Sequence, residues 1–294
     1  MSDEFSLKKL LFGATFALAI LLSVVYRSII DRRTKIVFCD VGQGDAAYIR
    51  IKNQTDVLID AGPNRKILSC LGKHMPFYDR KIELAIISHP QADHFGGFLE
   101  IIERYQIEKI ILPPVDNSNR SFSKLKNRIL AKGIITLFFQ AGDKITVNTG
   151  QLSFYWPTER FLNQTLVYDR PRQLNTQILG VSSLDLNYFS FISMYEENGF
   201  RVLFTGDAPF LVLNKLLEQD GLKTMILKIP HHGSKNGLTK KFLDLAGPEV
   251  AVISVGKNNP HGHPAKEVLE MLQASQVKIR RTDEEGEIIF KIKN

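Results

Sequence analysis

The feature that most constrains this chain is the segment from Ser88 to Gly97, which follows the apolar run Leu84–Ile87. The apolar run is typical of a buried strand, so the polar segment is expected in a loop at the strand end, where functional side chains are often held. His89, Asp93 and His94 supply two imidazoles and a carboxylate, which are standard ligands for a divalent cation. The competing interpretation is a polar turn that leads into an amphipathic helix.

Three later segments show the same pattern of metal-competent side chains after an apolar strand. Asp207 follows Arg201–Phe204, His231 and His232 follow Met225–Ile229, and the loop 257–264 carries His261 and His263. Together these segments and Ser88–Gly97 hold six of the seven histidines. A random distribution of histidines would rarely give this arrangement, so the sequence predicts one shared metal site.

Hairpins followed by strand–helix units occur twice along the chain. The first series spans about residues 35–138 and the second about residues 188–293, with a long loop or insertion expected at 157–183. Two such series predict two packed sheets with helices on the outside. We therefore expect one domain from residue 35 to 294, preceded by a separate N-terminal segment, residues 1–34.

The N-terminal segment contains an uncharged stretch, Leu10–Tyr26, that is long enough to approach the thickness of a bilayer. It offers no small-residue cleavage site, and it lacks the polar spacing of a buried amphipathic helix. Residues 10–30 are therefore predicted to form an uncleaved single-pass anchor in the lipid bilayer. Basic residues are more numerous after this stretch than before it, which favours a cytoplasmic C-terminal domain by the positive-inside count.

Composition adds weaker constraints. The chain has 44% hydrophobic and 23% charged residues and a formal charge of +7, which mildly favours an anionic partner such as nucleic acid or anionic lipid. Two cysteines, Cys39 and Cys70, form no Cys-x-x-Cys pair and no disulfide framework. Cys39 lies in a strand-like run and is interpreted as a small buried hydrophobic residue.

Considered together, the motifs resemble the metallo-β-lactamase superfamily and, within it, the hydrolase domain of the ComEC/Rec2 competence proteins. The matching pieces are Asp40-Val-Gly-Gln-Gly-Asp45, Leu58-Ile-Asp60-Ala-Gly, His89-x-x-x-Asp93-His94-x-Gly-Gly, Asn187-x-x-Ser190, Phe204-Thr-Gly-Asp207, Pro230-His-His-Gly-Ser234 and Ile253-Ser-Val-Gly-Lys-Asn-Asn with Gly262-His263-Pro264. They occur in family order over about residues 35–294. The resemblance implies an αββα sandwich with a binuclear metal site at one edge of the sheets.

The resemblance also implies ligand roles. It assigns His89 to the first metal position, Asp93, His94 and His232 to the second, and Asp207 to a bridge between them. Gln91 stands where the family has histidine or aspartate, and no histidine lies between His94 and His231 to supply a third-motif ligand. A neutral amide is a poor metal ligand, so we expect one tight site and a weak or substrate-completed first site, filled by Zn²⁺ or Mn²⁺.

The expected activity is metal-dependent hydrolysis of a phosphodiester, with DNA as the favoured substrate. The resemblance places His231 beside the metals as a substrate contact or acid, and Asp93 or Asp207 could take part in proton transfer. The predicted substrate-binding residues are Asn187, Ser190, Lys257 and His263. The resemblance to this family implies that the domain lies outside the cytoplasmic membrane, whereas the positive-inside count favours the cytoplasmic side.

Two alternatives remain open from the sequence. One is a small-molecule metallo-hydrolase, such as a lactonase or a phosphorylcholine-type esterase, which would not bind nucleic acid in a salt-dependent manner. The other is a metal-poor, inactive binding module, which is favoured by Gln91.

Overall fold

Two mixed seven-stranded sheets form the framework of the protein in a computed structural model, which describes residues 8–9, 11–20, 22–23, 32–167 and 179–292. The strands are β1 Lys35–Phe38, β2 Ala47–Ile51, β3 Thr55–Ile59, β4 Lys81–Ile86, β5 Gln106–Leu112, β6 Ile135–Phe138, β7 Lys144–Val147, β8 Gly150–Trp156, β9 Ile192–Glu197, β10 Phe200–Phe204, β11 Ile226–Lys228, β12 Val250–Ile253, β13 Lys278–Arg281 and β14 Ile288–Lys291. The first sheet has the order β14-β1-β2-β3-β4-β5-β6, and the second has the order β13-β12-β11-β10-β9-β8-β7.

Helices cover the outer faces of both sheets. Their bounds are α1 Lys66–His74, α2 Ala92–Phe95, α3 Phe98–Ile101, α4 Arg120–Ala131, α5 Glu159–Thr165, α6 Phe210–Leu213, α7 Lys240–Ala246, α8 Lys266–Ala274 and α9 Thr282–Glu285. Side chains alternate between the faces of a strand, so β1 directs Val37 to the helix-side core and Ile36 and Phe38 to the core between the sheets. Phe38 meets Phe204 of the second sheet, with ring centroids 5.8 Å apart. The expected αββα sandwich is therefore confirmed.

The parallel strands of each sheet bring the site segments together. Strands β3, β4, β5 and β6 pair in parallel in the first sheet, as do β10, β11, β12 and β13 in the second. The carboxyl ends of parallel neighbours meet at one edge, which is where ligands of open α/β sheets generally bind. The loops after β3, β4, β10 and β11 carry most of the residues singled out above.

Local differences from the expected elements have identifiable causes. The amphipathic helix expected after the Ser88–Gly97 segment is only the four residues of α3, and α2 lies within that segment, with Gly96 and Gly97 between the two helices. A Cβ on Gly97 would lie 2.1 Å from the Ala61 carbonyl oxygen, so glycine is required where α3 packs against the end of β3. Within the expected long loop at 157–183 the structure has α5, and residues 168–178 lie outside the described part of the chain.

The cysteines were interpreted too narrowly. Cys39 is buried, as expected, but it is bonded to Cys70 of α1 in a disulfide that spans 31 residues. This bond joins the end of β1, just before the loop 40–46, to a helix that the sequence analysis did not predict. The fold brings these distant positions together, so a simple count of two cysteines could not reveal the pairing.

The N-terminal segment is described only in part. Residues 11–20 are helical, and their apolar side chains Leu11, Phe12, Phe16 and Leu18 are exposed. Leu10, Leu21 and residues 24–30, which also belong to the predicted anchor, lie outside the described residues. Among those that are described, no helix combines the length and apolar character needed to cross a bilayer.

The disulfide generates a stability prediction. Replacing both Cys39 and Cys70 with alanine should lower the free energy of unfolding by about 3 to 4 kcal/mol, because the crosslink closes a loop of 31 residues in the unfolded chain. Urea denaturation of the oxidised wild type, the reduced wild type and the double variant measures this. We expect the latter two to agree with each other, and equal stability of all three would contradict the bond.

Candidate metal centre

Three strand ends deliver the candidate ligands to one place. His89 follows β4, and the short helix α2 presents Asp93 and His94 one turn later. From the second sheet, Asp207 follows β10 through Thr205 and Gly206, and His232 follows β11. The site therefore lies at the seam between the two halves of the fold, with donors from each half.

Asp93, His94, Asp207 and His232 form the central cluster, in which one ligand atom from each lies within 4.8 Å of the others. The Asp207 carboxylate stands between the imidazoles, with Oδ1 3.3 Å from His94 Nε2 and Oδ2 3.3 Å from His232 Nε2. Asp93 Oδ2 lies 3.3 Å from His232 Nε2 and 3.8 Å from His94 Nε2. The structure thus brings together the four residues that were expected to form the tight site.

Hydrogen bonds behind the two imidazoles fix which nitrogen faces the cluster. His94 Nδ1 is 2.9 Å from Asp60 Oδ2, and His232 Nδ1 donates to the Ser254 carbonyl oxygen at 2.9 Å. Because carbonyl and carboxylate oxygens accept hydrogen bonds, each ring carries its hydrogen on Nδ1 and turns Nε2 to the cluster. This is the arrangement that orients metal-ligating histidines and increases their basicity.

The donors fit a divalent cation by their chemistry, and also because some of their buried polar atoms lack hydrogen bonds. His94 Nε2 and Asp207 Oδ1 are buried and lie 3.3 Å apart, and neither makes a hydrogen bond of good geometry with any described residue. Buried polar atoms normally have partners, so orphaned atoms in one cluster need an explanation. A borderline-soft cation accepts imidazole nitrogen and carboxylate oxygen together, and these residues would hold it.

Charge and burial shift the pKa values of this cluster strongly. Burial alone would lower the pKa of both His94 and His232, but the Asp207 carboxylate and its acidic neighbours outweigh it and raise both values well above normal. Burial would raise the pKa of Asp207, but His232 and His94 hold it well below its ordinary range. Without a cation, protons on the imidazoles therefore balance part of the buried negative charge.

The backbone of the tandem histidines His231 and His232 is in a strained conformation. His231 and His232 have positive φ angles of 50° and 53°, in a region that residues with a Cβ seldom occupy. The turn is held by hydrogen bonds from His231 N to the Gly206 carbonyl oxygen and from Ser234 N to the His231 carbonyl oxygen. Such strain persists at functional sites when surrounding contacts determine the conformation.

The residues expected at the first metal position are placed differently from the central four. His89 is fully buried, its ring centroid is 4.1 Å from that of His94, and its Nε2 has no hydrogen-bond partner among the described residues. Burial, and then the neighbouring His94, lower the pKa of His89 to about 3, so its ring is neutral. Gln91 precedes α2 and lines the open side of the site. His89 and Gln91 are not part of the central cluster.

An open groove with a volume of about 770 Å³ lies over the cluster. Lys257 and His263 line it, together with Asp93, Asp207 and His231. Burial, and then the neighbouring His231 imidazole, lower the pKa of His263 to about 4, so it is neutral near pH 7. His231 is partly exposed, and its Nε2 lies 3.9 Å from Asp207 Oδ2.

Asn187 and Ser190 do not reach this groove. Ser190 is fully buried, and its Oγ accepts a hydrogen bond from the Asp207 backbone N–H at 3.2 Å. Asn187 is also buried, in a short 3-10 turn just before β9. Their assignment to substrate binding stays a prediction; in this structure Ser190 lies behind Asp207, where it supports the ligand loop.

Three residues that sequence reasoning did not assign to the site lie directly beneath it. Asp60 contacts His94, and Asp45 Oδ1 lies 3.3 Å from His232 Nδ1. Lys228 is buried, forms an ion pair with Asp45, and donates to the Gly206 carbonyl oxygen at 2.9 Å. A lysine inside the apolar run 225–229 is the sequence signal that could have revealed this charged floor, because lysine is rarely buried without a partner.

Comparisons with solved structures show the class of fold. The chain aligns with the metallo-β-lactamase fold protein YhfI of Bacillus subtilis at a TM-score of 0.56, with 11% identity over 88% of this chain and 100% of the other. A metallo hydrolase from Ignicoccus hospitalis aligns at a TM-score of 0.54 with 16% identity. Zinc-bound PqqB of Methylobacterium extorquens aligns at a TM-score of 0.53 with 10% identity. Both alignments cover 88% of this chain and 100% of the other chain. The protein has the metallo-β-lactamase fold.

Sequence comparisons narrow the resemblance to the ComEC/Rec2 competence proteins. The chain is 26% identical to ComE operon protein 3 of Bacillus subtilis over 278 residues, which are 87% of this chain and 32% of that protein. It is 27% identical to Recombination protein 2 of Haemophilus influenzae over 258 residues, which are 85% of this chain and 28% of that protein. Competence protein ComA of Neisseria gonorrhoeae is 23% identical over 269 residues, which are 88% of this chain and 32% of that protein. The chain spans about a third of these relatives, and no family model matches it.

The hydrogen bond behind His94 makes a prediction about cation affinity. Asp60→Asn should weaken Mn²⁺ or Zn²⁺ binding by about 10- to 100-fold, because the amide cannot polarise the imidazole as a carboxylate does. Isothermal titration calorimetry measures the affinity. Asp244→Asn on the exposed face of α7 is the matched control, and equal affinities of the two variants would contradict the assigned role of Asp60.

The raised pKa values of His94 and His232 predict a pH dependence of cation binding. Both imidazoles hold protons near pH 7 in the metal-free protein, and a cation must displace them. Affinity should therefore rise with pH, by about tenfold per pH unit for each proton released. Calorimetry in buffers of different ionisation enthalpy counts the protons, and affinity that is constant between about pH 6 and pH 8 would argue against this coupling.

Proposed function

We propose that the protein is a metal-dependent phosphodiester hydrolase that cleaves DNA. The observation that carries this proposal is the convergence of Asp93, His94, Asp207 and His232 at the floor of an open groove lined by Lys257 and His263. The resemblance to competence proteins supports nucleic acid as the substrate, as does the formal charge of +7.

The chain's own residues would perform distinct tasks. Asp93, His94, Asp207 and His232 would hold the cation, and a bound Zn²⁺ or Mn²⁺ would activate water and neutralise charge on the phosphate. Burial, before the influence of nearby charges, lowers the pKa of His231, so its ring is neutral and able to hold a proton near the Asp207 carboxylate. Asp93 or Asp207 would assist this proton transfer. Lys257 would contact the phosphate from the groove wall.

One cation is expected to bind more tightly than a second. His89 supplies one unpaired Nε2 near the cluster, whereas Gln91 offers only an amide beside it. A second cation at this position would therefore depend on substrate oxygens to complete its ligands.

We also propose that the domain works outside the cytoplasm, anchored to the membrane through residues 10–30. The Cys39–Cys70 disulfide supports an oxidising compartment, because such bonds are rare in the reducing cytosol. The exposed apolar side chains of residues 11–20 support contact with lipid.

Incubation of the purified protein with single- and double-stranded DNA and a series of divalent cations tests the function. Asp207→Ala should abolish cleavage, since it removes the carboxylate between the two imidazoles, whereas Asp244→Ala on α7 should leave cleavage unchanged. Intact DNA with wild type at high enzyme concentration would contradict the proposal.

Metal analysis of the same samples identifies the alternative that Gln91 favours. Less than about one cation per chain at saturating Mn²⁺ and Zn²⁺ would indicate an inactive binding module.

A further inference from the structure

A pair of lysines from opposite halves of the chain lies on one rim of the groove. Lys257 follows β12, and Lys66 begins α1; both line the groove above the candidate metal centre. Lys66 is far in sequence from every histidine motif, and neither the sequence analysis nor the proposed function gives it a role.

Close backbone contact brings the two lysine-bearing segments together. A Cβ on Gly256 would lie 2.5 Å from the Gln43 backbone nitrogen and 2.9 Å from the Gly42 carbonyl carbon, so only glycine permits this packing. Gln43 Oε1 also accepts a hydrogen bond from Gly256 N at 3.1 Å. The loop 40–45 and the loop after β12 therefore form one continuous rim.

The ammonium group of Lys66 lies at this rim. Its Nζ lies 3.3 Å from the position that a Cβ on Gly42 would occupy, and Gly42 is itself a groove residue. The ammonium is thus beside the residue that packs against Gly256, one position before Lys257. Lys66 therefore lies beside the segment 42–43, which contacts the segment that carries Lys257.

The surroundings do not neutralise these charges. Neither Lys66 nor Lys257 forms an ion pair with any residue in the described part of the chain, whereas many surface lysines there do. Asp40 is the nearby carboxylate of the rim, and its Oδ1 accepts a hydrogen bond from the Gly42 N–H at 3.1 Å. Two cations that line one groove without an ion pair among the described residues are suited to an anion with more than one charged group.

We propose that Lys66 and Lys257 bind neighbouring phosphates of a nucleic-acid strand, one at the cleavage position and one beyond it. The inference rests on the proposed function and makes it more specific: the substrate is a chain with several phosphates, and Lys66 defines a second phosphate subsite. A ligand with a single phosphate would leave the Lys66 ammonium unpaired.

Salt-dependent binding tests this subsite without requiring cleavage. The probe is a fluorescein-labelled oligothymidylate of about twelve nucleotides, titrated by anisotropy with the full chain in Ca²⁺ between about 50 and 200 mM salt. Lys66→Ala should weaken binding by about five- to tenfold and reduce the slope of log affinity against log salt by about 0.7, as expected for one lost phosphate contact. Lys257→Ala should act similarly.

The matched control is Lys144→Ala, which removes an exposed lysine from β7 at the far edge of the second sheet. It should retain the wild-type affinity and slope. If Lys66→Ala retains them as well, the second subsite does not exist. Equal loss in Lys66→Ala and Lys144→Ala would also overturn it, because the effect would then follow net charge rather than position.

A second substrate separates failure of this inference from failure of the proposed function. Wild type that hydrolyses bis-(p-nitrophenyl) phosphate, which has one phosphate, is a phosphodiesterase whatever the result for Lys66. We then expect inhibition by oligothymidylates to strengthen by about tenfold when a second phosphate is added, and Lys66→Ala to lose this gain. Absence of the gain in wild type would overturn the subsite while leaving the hydrolase intact.

Discussion

The site depends on how one buried carboxylate is held between two imidazoles. Asp207 is almost fully buried, and such a charge is costly unless it is paired and hydrogen-bonded. His94 and His232 pair with its two oxygens, while Ser190 binds its backbone N–H. Asp60 and the Ser254 carbonyl then hold the far sides of the imidazoles. Removal of any member would leave another buried polar group without its partner.

Much of the fold and the central cluster could be predicted from the sequence. The apolar strands have recognisable patterns, and Asp93, His94, Asp207 and His232 each follow one of them closely. Since the ends of parallel strands meet at one edge, convergence of these residues follows from the predicted architecture. The two-sheet sandwich was predictable because the hairpin and strand–helix series occurs twice.

The rest depends on three-dimensional contacts that sequence spacing does not encode. Ser190 follows a polar motif typical of a substrate contact, but its hydroxyl points toward the Asp207 backbone inside the fold. Lys228 belongs to a three-residue strand that is buried throughout, and its charge is explained by the positions of the Asp45 and Asp207 carboxylates. The disulfide likewise depends on how α1 packs against the end of β1. Each of these features joins segments whose separation along the chain gives no indication of their contact.

The origin of the ligands in both halves of the fold has a thermodynamic consequence. Asp93 and His94 belong to the first half, whereas Asp207 and His232 belong to the second. A cation held by all four would act as a noncovalent crosslink across the interface of the two sheets. Since such a cation binds the native state and not the unfolded chain, the resistance of the whole domain to heat would increase with the concentration of free metal in its surroundings.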